Sequence, residues 1–179
     1  MQTGLNTIKK DVEPLVMVLP EEMNRSWLLS TYLSLQRAFD LNYQHDVVAR
    51  LPKADQDRLI LKITSLTSRK TLKYTKEWLA GYYFNNSMFR TVALAETGLT
   101  ILYEKKTSKK APAGNEAYYT LMAWYKSNYG LNLDNITKAR KQVNVFKHDV
   151  RSPKTSKMFK TMREGIGALK ELVLLLKQI

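Results

Sequence analysis

The sequence predicts an all-α protein, a compact helical bundle of five to seven helices, and three observations carry that expectation. Helix breakers are scarce, with five Pro and seven Gly in 179 residues. Apolar residues recur at three- and four-residue spacing through most of the chain, the period of a helix that buries one face. Few segments alternate with period two as strands would, and Leu15–Leu19 and Thr100–Tyr103 are the two short stretches that suit a strand. The length suits a single helical domain, 1–179, or two helical lobes joined by a Lys-rich loop at 105–115.

Taken in order, Arg25–Leu41 is apolar almost all round, with Leu28, Tyr32, Leu35 and Phe39 on one face and Leu29 and Leu33 beside it, as expected of a central helix. Pro52 closes the next stretch, and a helix opening at Ala54 or Asp55 carries Leu59, Ile63 and Leu66. Ser68 has the chemistry of an N-cap for a further helix, which is expected to turn Leu72, Trp78, Leu79 and Tyr82 inward. Another helix is expected from about Ser87 to Glu104, weakened by Gly98. The stretch Lys105–Asn115, with its lysines, Ser108, Pro112 and Gly114, reads as the clearest loop.

Beyond the loop, Tyr118, Met122, Tyr125 and Tyr129 share a helical face that Gly130 terminates. Asp134 reads as the N-cap of the next helix, along which Ile136, Ala139, Val143, Phe146 and Val150 form a heptad-like seam up to the break at Pro153. The last helix, from about Thr155, is expected to bury Met158, Met162, Ile166, Leu169, Val173 and Leu176. Within it Gly165-Ile166-Gly167 predicts a close helix contact rather than a phosphate loop, because no strand precedes it. Leu172–Leu176 is apolar all round, which fits either enclosure by the other helices or docking on another subunit.

The composition excludes several chemistries. There is no cysteine, hence no disulfide scaffold, thiol nucleophile, zinc finger or iron–sulfur cluster. The longest apolar runs fall far short of the ~20 residues a membrane span needs, and the first residues lack the cationic start and apolar stretch of a secretory leader. A cytoplasmic location without membrane contact is the expectation. Neither a phosphate-binding loop nor a dinucleotide fingerprint is present, and Glu21-Glu22 reads as a helix-start pair favoured by the macrodipole. Both histidines precede an aspartate, His45-Asp46 and His148-Asp149, as in metal phosphohydrolases of the HD type. No aspartate follows Asp149 to complete that set, so no metal, cofactor or catalytic residue is expected.

The charge is the informative quantity: 29 Lys and Arg against 16 Asp and Glu, a formal +13. That excess predicts a polyanionic partner. It collects in three clusters. Arg69, Lys70, Lys73 and Lys76 stripe one helix, and Lys105, Lys106, Lys109 and Lys110 crowd the loop. Lys138, Arg140, Lys141, Lys147, Arg151, Lys154, Lys157, Lys160 and Arg163 make the third, with Asp149 the only acid among them. On the helix after Asp134, Arg140, Asn144, Lys147 and Arg151 share a flank beside the apolar seam, and the stripe rounds the corner at Pro153. Such a surface suits non-sequence-specific contact with the backbone of single-stranded DNA or RNA, since lysines hold phosphates and discriminate bases poorly. Tyr74 and Tyr119 are candidates for base stacking.

Two resemblances bear on function. A small, cysteine-free, basic helical chain with these charge stripes and a Tyr/Leu-rich core resembles the small subunit of a CRISPR effector complex. The resemblance covers the whole chain in character and rests on no diagnostic motif. It implies a non-enzymatic subunit of a ribonucleoprotein assembly, in which other subunits and copies of itself line the complex and basic faces such as Arg140–Arg163 hold a displaced strand or the guide duplex. The stretch Arg140–His148 also resembles the Arg-spacer-His region of helical HEPN-type ribonucleases of toxin and phage-defence systems. It departs from that pattern by separating the two residues by seven others, about 80° apart around a helix and two turns along it. A third expectation is a basic scaffold subunit that binds only proteins.

Overall fold

A computed structural model describes residues 2–48, 54, 72–114, 116–148 and 162–179, with side chains at 4–40, 54, 81–114, 116–143 and 162–179. Its six helices are α1 (Gln2–Val18), α2 (Arg25–Val48), α3 (Leu72–Thr107), α4 (Ala117–Tyr129), α5 (Asp134–His148) and α6 (Met162–Leu176), and no strand occurs among the described residues.

Both strand candidates are helical. Leu15–Leu19 falls at the end of α1, where Leu5, Ile8, Val12, Leu15 and Leu19 are all buried at helical spacing, and Pro14 is accommodated within the helix. Thr100–Tyr103 lies inside α3. Asn24 starts α2 by accepting the Trp27 amide hydrogen (3.3 Å) and the Ser26 hydroxyl hydrogen (2.7 Å) on Oδ1.

The largest departure from expectation is α3. Two helices were expected across 68–104, and one helix of 36 residues, about 54 Å long, runs from Leu72 to Thr107. Ser87 does not start a new helix, because its buried hydroxyl donates instead to the Thr31 carbonyl of α2 at 3.0 Å. Lys105 and Lys106 consequently belong to the last turn of α3 rather than to the loop, and their charge complements the helix C-terminus. Tyr82, expected inside, is 53% exposed.

The remaining helices assemble around α3. Thr31 sits level with Ser87, and Ser30 with Arg90, so α2 runs antiparallel to α3. Gly165 of α6 meets Phe84, and the C-terminal Leu176 meets Gly98, so α6 runs parallel to α3. Lys138 pairs with Glu164 while Asn135 bonds Glu171, which makes α5 antiparallel to α6. Gly4 faces Ile166 and Asp11 pairs with Lys177, placing α1 alongside α6 in the same direction. One contiguous apolar core draws residues from all six helices.

The glycine pair of α6 has the packing role expected of it. A Cβ on Gly165 would lie 2.6 Å from Phe84 Cε2, and one on Gly167 would lie 2.8 Å from Asn135 Nδ2. Gly98 likewise gives α6 a close approach, with Leu176 Cδ2 3.2 Å from where its Cβ would stand. Gly130 ends α4 in the left-handed region (φ 65°), its N–H donating to the Lys126 carbonyl. In α6, Leu175 is fully buried and Leu174 is 45% exposed, so most of the Leu172–Leu176 run is core. The helix expected to open near Ala54 is described only at Ala54, and Met158, Phe146 and Val150 lie where no side chain is described.

Candidate functional site

The described parts of the first and second basic clusters lie at opposite ends of α3. Lys73 and Lys76 lie in the first two turns of α3, whereas Lys105 and Lys106 lie in its last, roughly 45 Å away along the axis. Arg69, Lys70, Arg151, Lys154, Lys157 and Lys160 are outside the described residues, and the side chains of Lys73, Lys76 and Lys147 are not described.

The antiparallel and parallel relations above bring four chain ends together. The C-terminal ends of α2 and α5 and the N-terminal ends of α3 and α6 all lie at one end of the bundle. The chain therefore leaves this end at Val48 and returns to it at Leu72, then leaves again at His148 and returns at Met162. Positions 50–76 carry eight Lys and Arg against two acids, and positions 147–163 carry six against one. Two long basic stretches of sequence are thus attached at the same end, while the shorter run Lys105–Lys110 lies at the other.

Where the side chains are described, several cations are already partnered. Lys138 Nζ sits 3.6 Å from Glu164, and Lys105 Nζ donates to the Ile179 carbonyl at 2.5 Å. Lys106, Lys109, Lys110, Lys141 and Arg163 are exposed, and none has an acidic partner among the described residues. The expectation of one acid among nine cations between 138 and 163 counted a single stretch of chain. Glu96, from α3, supplies a neutralising charge that local sequence does not show.

Arg140 departs most from expectation. Rather than lying on a solvated flank, its side chain is only 20% exposed at the junction of α3, α4 and α5. Its Nε donates to Glu96 Oε1 at 2.8 Å, and its guanidinium carbon stands 4.6 Å from the centroid of Tyr118 and 5.5 Å from that of Tyr119. Burial opposes the charge on Arg140, but the hydrogen bond and charge of Glu96 outweigh it and hold the pKa above its ordinary value. Burial also pushes the Tyr118 hydroxyl up to about 12, and that group bonds Thr137 Oγ1 at 3.2 Å.

Beside this cluster opens a cavity of about 220 Å³, lined by Glu96, Thr100, Pro112, Gly114, Ala117, Tyr118, Leu121 and Arg140. Sequence reasoning missed every one of these residues except Arg140 as part of a site. Glu96, Thr100 and Arg140 do not follow one another in sequence; they meet because α5 packs against the C-terminal half of α3.

Glu171 is a second residue the sequence did not reveal. Its carboxylate accepts from the Asn135 and Ile136 backbone N–H groups, both at 3.0 Å, and from Asn135 Nδ2 at 2.6 Å. It caps α5 from across the bundle, in the role expected of Asp134, which is itself the first residue of that helix.

No group of three or more His, Asp or Glu among the described residues could hold a metal, and the side chains of His45 and His148 are not described. No helix among the described residues is long and apolar enough to cross a membrane. Comparison of the chain with protein families, curated proteins and solved structures returned no match.

Proposed function

We propose that this chain is a non-enzymatic nucleic-acid-binding subunit that holds the backbone of DNA or RNA within a larger assembly. The observation that carries the reading is the attachment of two long basic stretches, 50–76 and 147–163, at one end of the bundle. A polyanion recruits such an end through counterion release, whatever its sequence. The pairing of Arg140 with Glu96 supports the non-enzymatic reading over the ribonuclease one, since the carboxylate beside the guanidinium repels a reacting phosphate. The exposed lysines at the far end of α3 would serve a distant segment of a long strand, or an acidic protein surface. Within this reading, the small-subunit role in a CRISPR effector complex is the finer proposal.

Fluorescence anisotropy of labelled single-stranded DNA, single-stranded RNA and duplex DNA at several salt concentrations tests it. The expected result is a log–log salt slope of about −0.7 per neutralised phosphate for single strands, with the strands intact on a denaturing gel. Reversing Lys147, Arg151 and Lys157 to Glu should abolish binding with helicity unchanged. Absence of binding at moderate salt would overturn the reading, and cleaved RNA would replace it with the ribonuclease. For the finer role, the chain should assemble in several copies on a guide-bound effector, and failure to do so would remove it.

A further inference from the structure

We propose that the cavity beside Arg140 receives one unpaired guanine base of a bound single strand, an inference that rests on the nucleic-acid reading above. The pair at its wall is joined at a single point. Arg140 uses Nε and Glu96 uses Oε1, and neither the Arg140 Nη nitrogens nor Glu96 Oε2 hydrogen-bonds any described residue. Donors and an acceptor therefore stand side by side at the wall of an open cavity.

The balance of charge selects the ligand. A phosphate entering here is attracted by Arg140 and repelled by Glu96, so its net gain is small. A neutral group that presents acceptors to the guanidinium and donors to the carboxylate gains from both. Nucleobase edges have that character, and guanine has it most fully. Its O6 and N7 accept from an arginine fork, while its N1–H and exocyclic amino group donate to a carboxylate. Uracil offers only one N–H donor, and adenine and cytosine present an amino group without the neighbouring ring N–H.

Size and shape agree. At about 220 Å³ the cavity lies below the ~300 Å³ where sites for drug-sized ligands begin, which suits one planar ring system. Pro112 and Leu121 supply apolar lining for the ring faces, and Ala117 and Gly114 leave room where larger side chains would intrude. Gly114 has φ +91° and nothing within 4 Å of where a Cβ would stand, so the loop turns beside open space here. The walls are set before a ligand arrives. Thr100 Oγ1 donates to the Glu96 carbonyl at 3.0 Å, Tyr118 is bonded to Thr137, and Arg140 is braced against the Tyr118 ring.

The test titrates the full chain with guanosine, adenosine, cytidine and uridine, followed by amide NMR shifts, alongside oligouridine with and without one central guanosine. The nucleosides carry no phosphate and so report on the cavity alone. Guanosine should bind at least about tenfold more tightly than the others, and a single guanosine should improve oligouridine binding by a similar factor. Glu96→Gln should remove that preference and leave the salt slope unchanged. Ala117→Leu, which fills the cavity and keeps every charge, should remove it too, and serves if the Glu96 variant does not fold. Equal or absent nucleoside binding overturns the proposal even if oligouridine still binds. Guanosine binding without salt-dependent strand binding supports the cavity and overturns the backbone reading instead.

Discussion

The helix α3 makes two contrasting contacts along its length. Around Phe84 it meets Leu35 of α2 and Gly165 of α6 in a close-packed junction where the partner backbone is nearly touching the ring. Around Glu96, just over three turns further on, it meets α4 and α5 through a carboxylate, a guanidinium and tyrosine rings, with a cavity beside them. The first contact tolerates no added atom, whereas the second is held by directional groups and leaves space. Steric fit fixes how the helices cross at one level, and polar chemistry remains available at the other.

Substitutions at four places would break or sharpen that contrast. The largest effect is expected at the close-packed junction. Gly165→Ala puts a methyl 2.6 Å from the buried Phe84 ring, and should lower stability in urea unfolding by about 2–3 kcal/mol. Phe84→Leu in the same chain should recover part of that loss. By contrast, Gly98→Ala meets the mobile end of a leucine at 3.2 Å and gains about 1 kcal/mol of helix propensity, so it should be near neutral.

Next comes the cap of α5. Glu171→Ala leaves the Asn135 and Ile136 amides without their acceptor and should cost about 1–2 kcal/mol, seen as a lowered Tm. Asp134→Ala should cost less than about 0.5 kcal/mol, acting only through the helix dipole. If the two effects were reversed, the cap would be local rather than supplied by α6.

At the polar junction, a double-mutant cycle of Arg140→Met and Glu96→Gln should return a coupling of about 1 kcal/mol, smaller at high salt, because Glu96 is 45% exposed. A coupling indistinguishable from zero would make the junction aromatic packing alone.

The smallest effect at neutral pH belongs to Tyr125, fully buried with a hydroxyl that finds no partner among the described residues. Tyr125→Phe should be neutral or slightly stabilising there. Burial raises the Tyr125 pKa from 10.0 to about 12, and burial raises that of Tyr118 likewise. A raised folded-state pKa means stability is complete below pH 10 and falls as pH climbs toward 12, because the unfolded tyrosines ionise first. The variant should flatten that alkaline decline relative to the parent chain, and an unchanged decline would count against Tyr125 as its source.

Much of this molecule could be read from periodicity. The inward faces of α2, α5 and α6 follow from residues such as Leu28 and Leu35, Ile136 and Val143, and Ile166 and Leu169, all of them buried. Gly165 was legible as a packing glycine because its neighbours at helical spacing are apolar. Helix ends were less legible. A serine at 87 has the chemistry of a cap, and nothing local says that Thr31, 56 residues earlier, will take its hydroxyl hydrogen. Leu15–Leu19 suited a strand as well as a helix because five residues are too few to separate the two periods.

The candidate site was legible in composition and not in arrangement. Lysine and arginine numbers, the absence of cysteine, and the places where positive charge is densest are properties of the chain, and they need no fold to state them. Which cations are free is a different matter, since an ion pair depends on what a distant helix places within a few ångströms. Arg140 finds Glu96 across 44 positions, and the Asn135 amide finds Glu171 across 36, because helices packed side by side bring remote residues to the same level. Helical period and net charge are local sums over neighbours, so the amino-acid order was enough for them. Partnership, capping and the cavity arise from packing, which joins residues without regard to their separation along the chain.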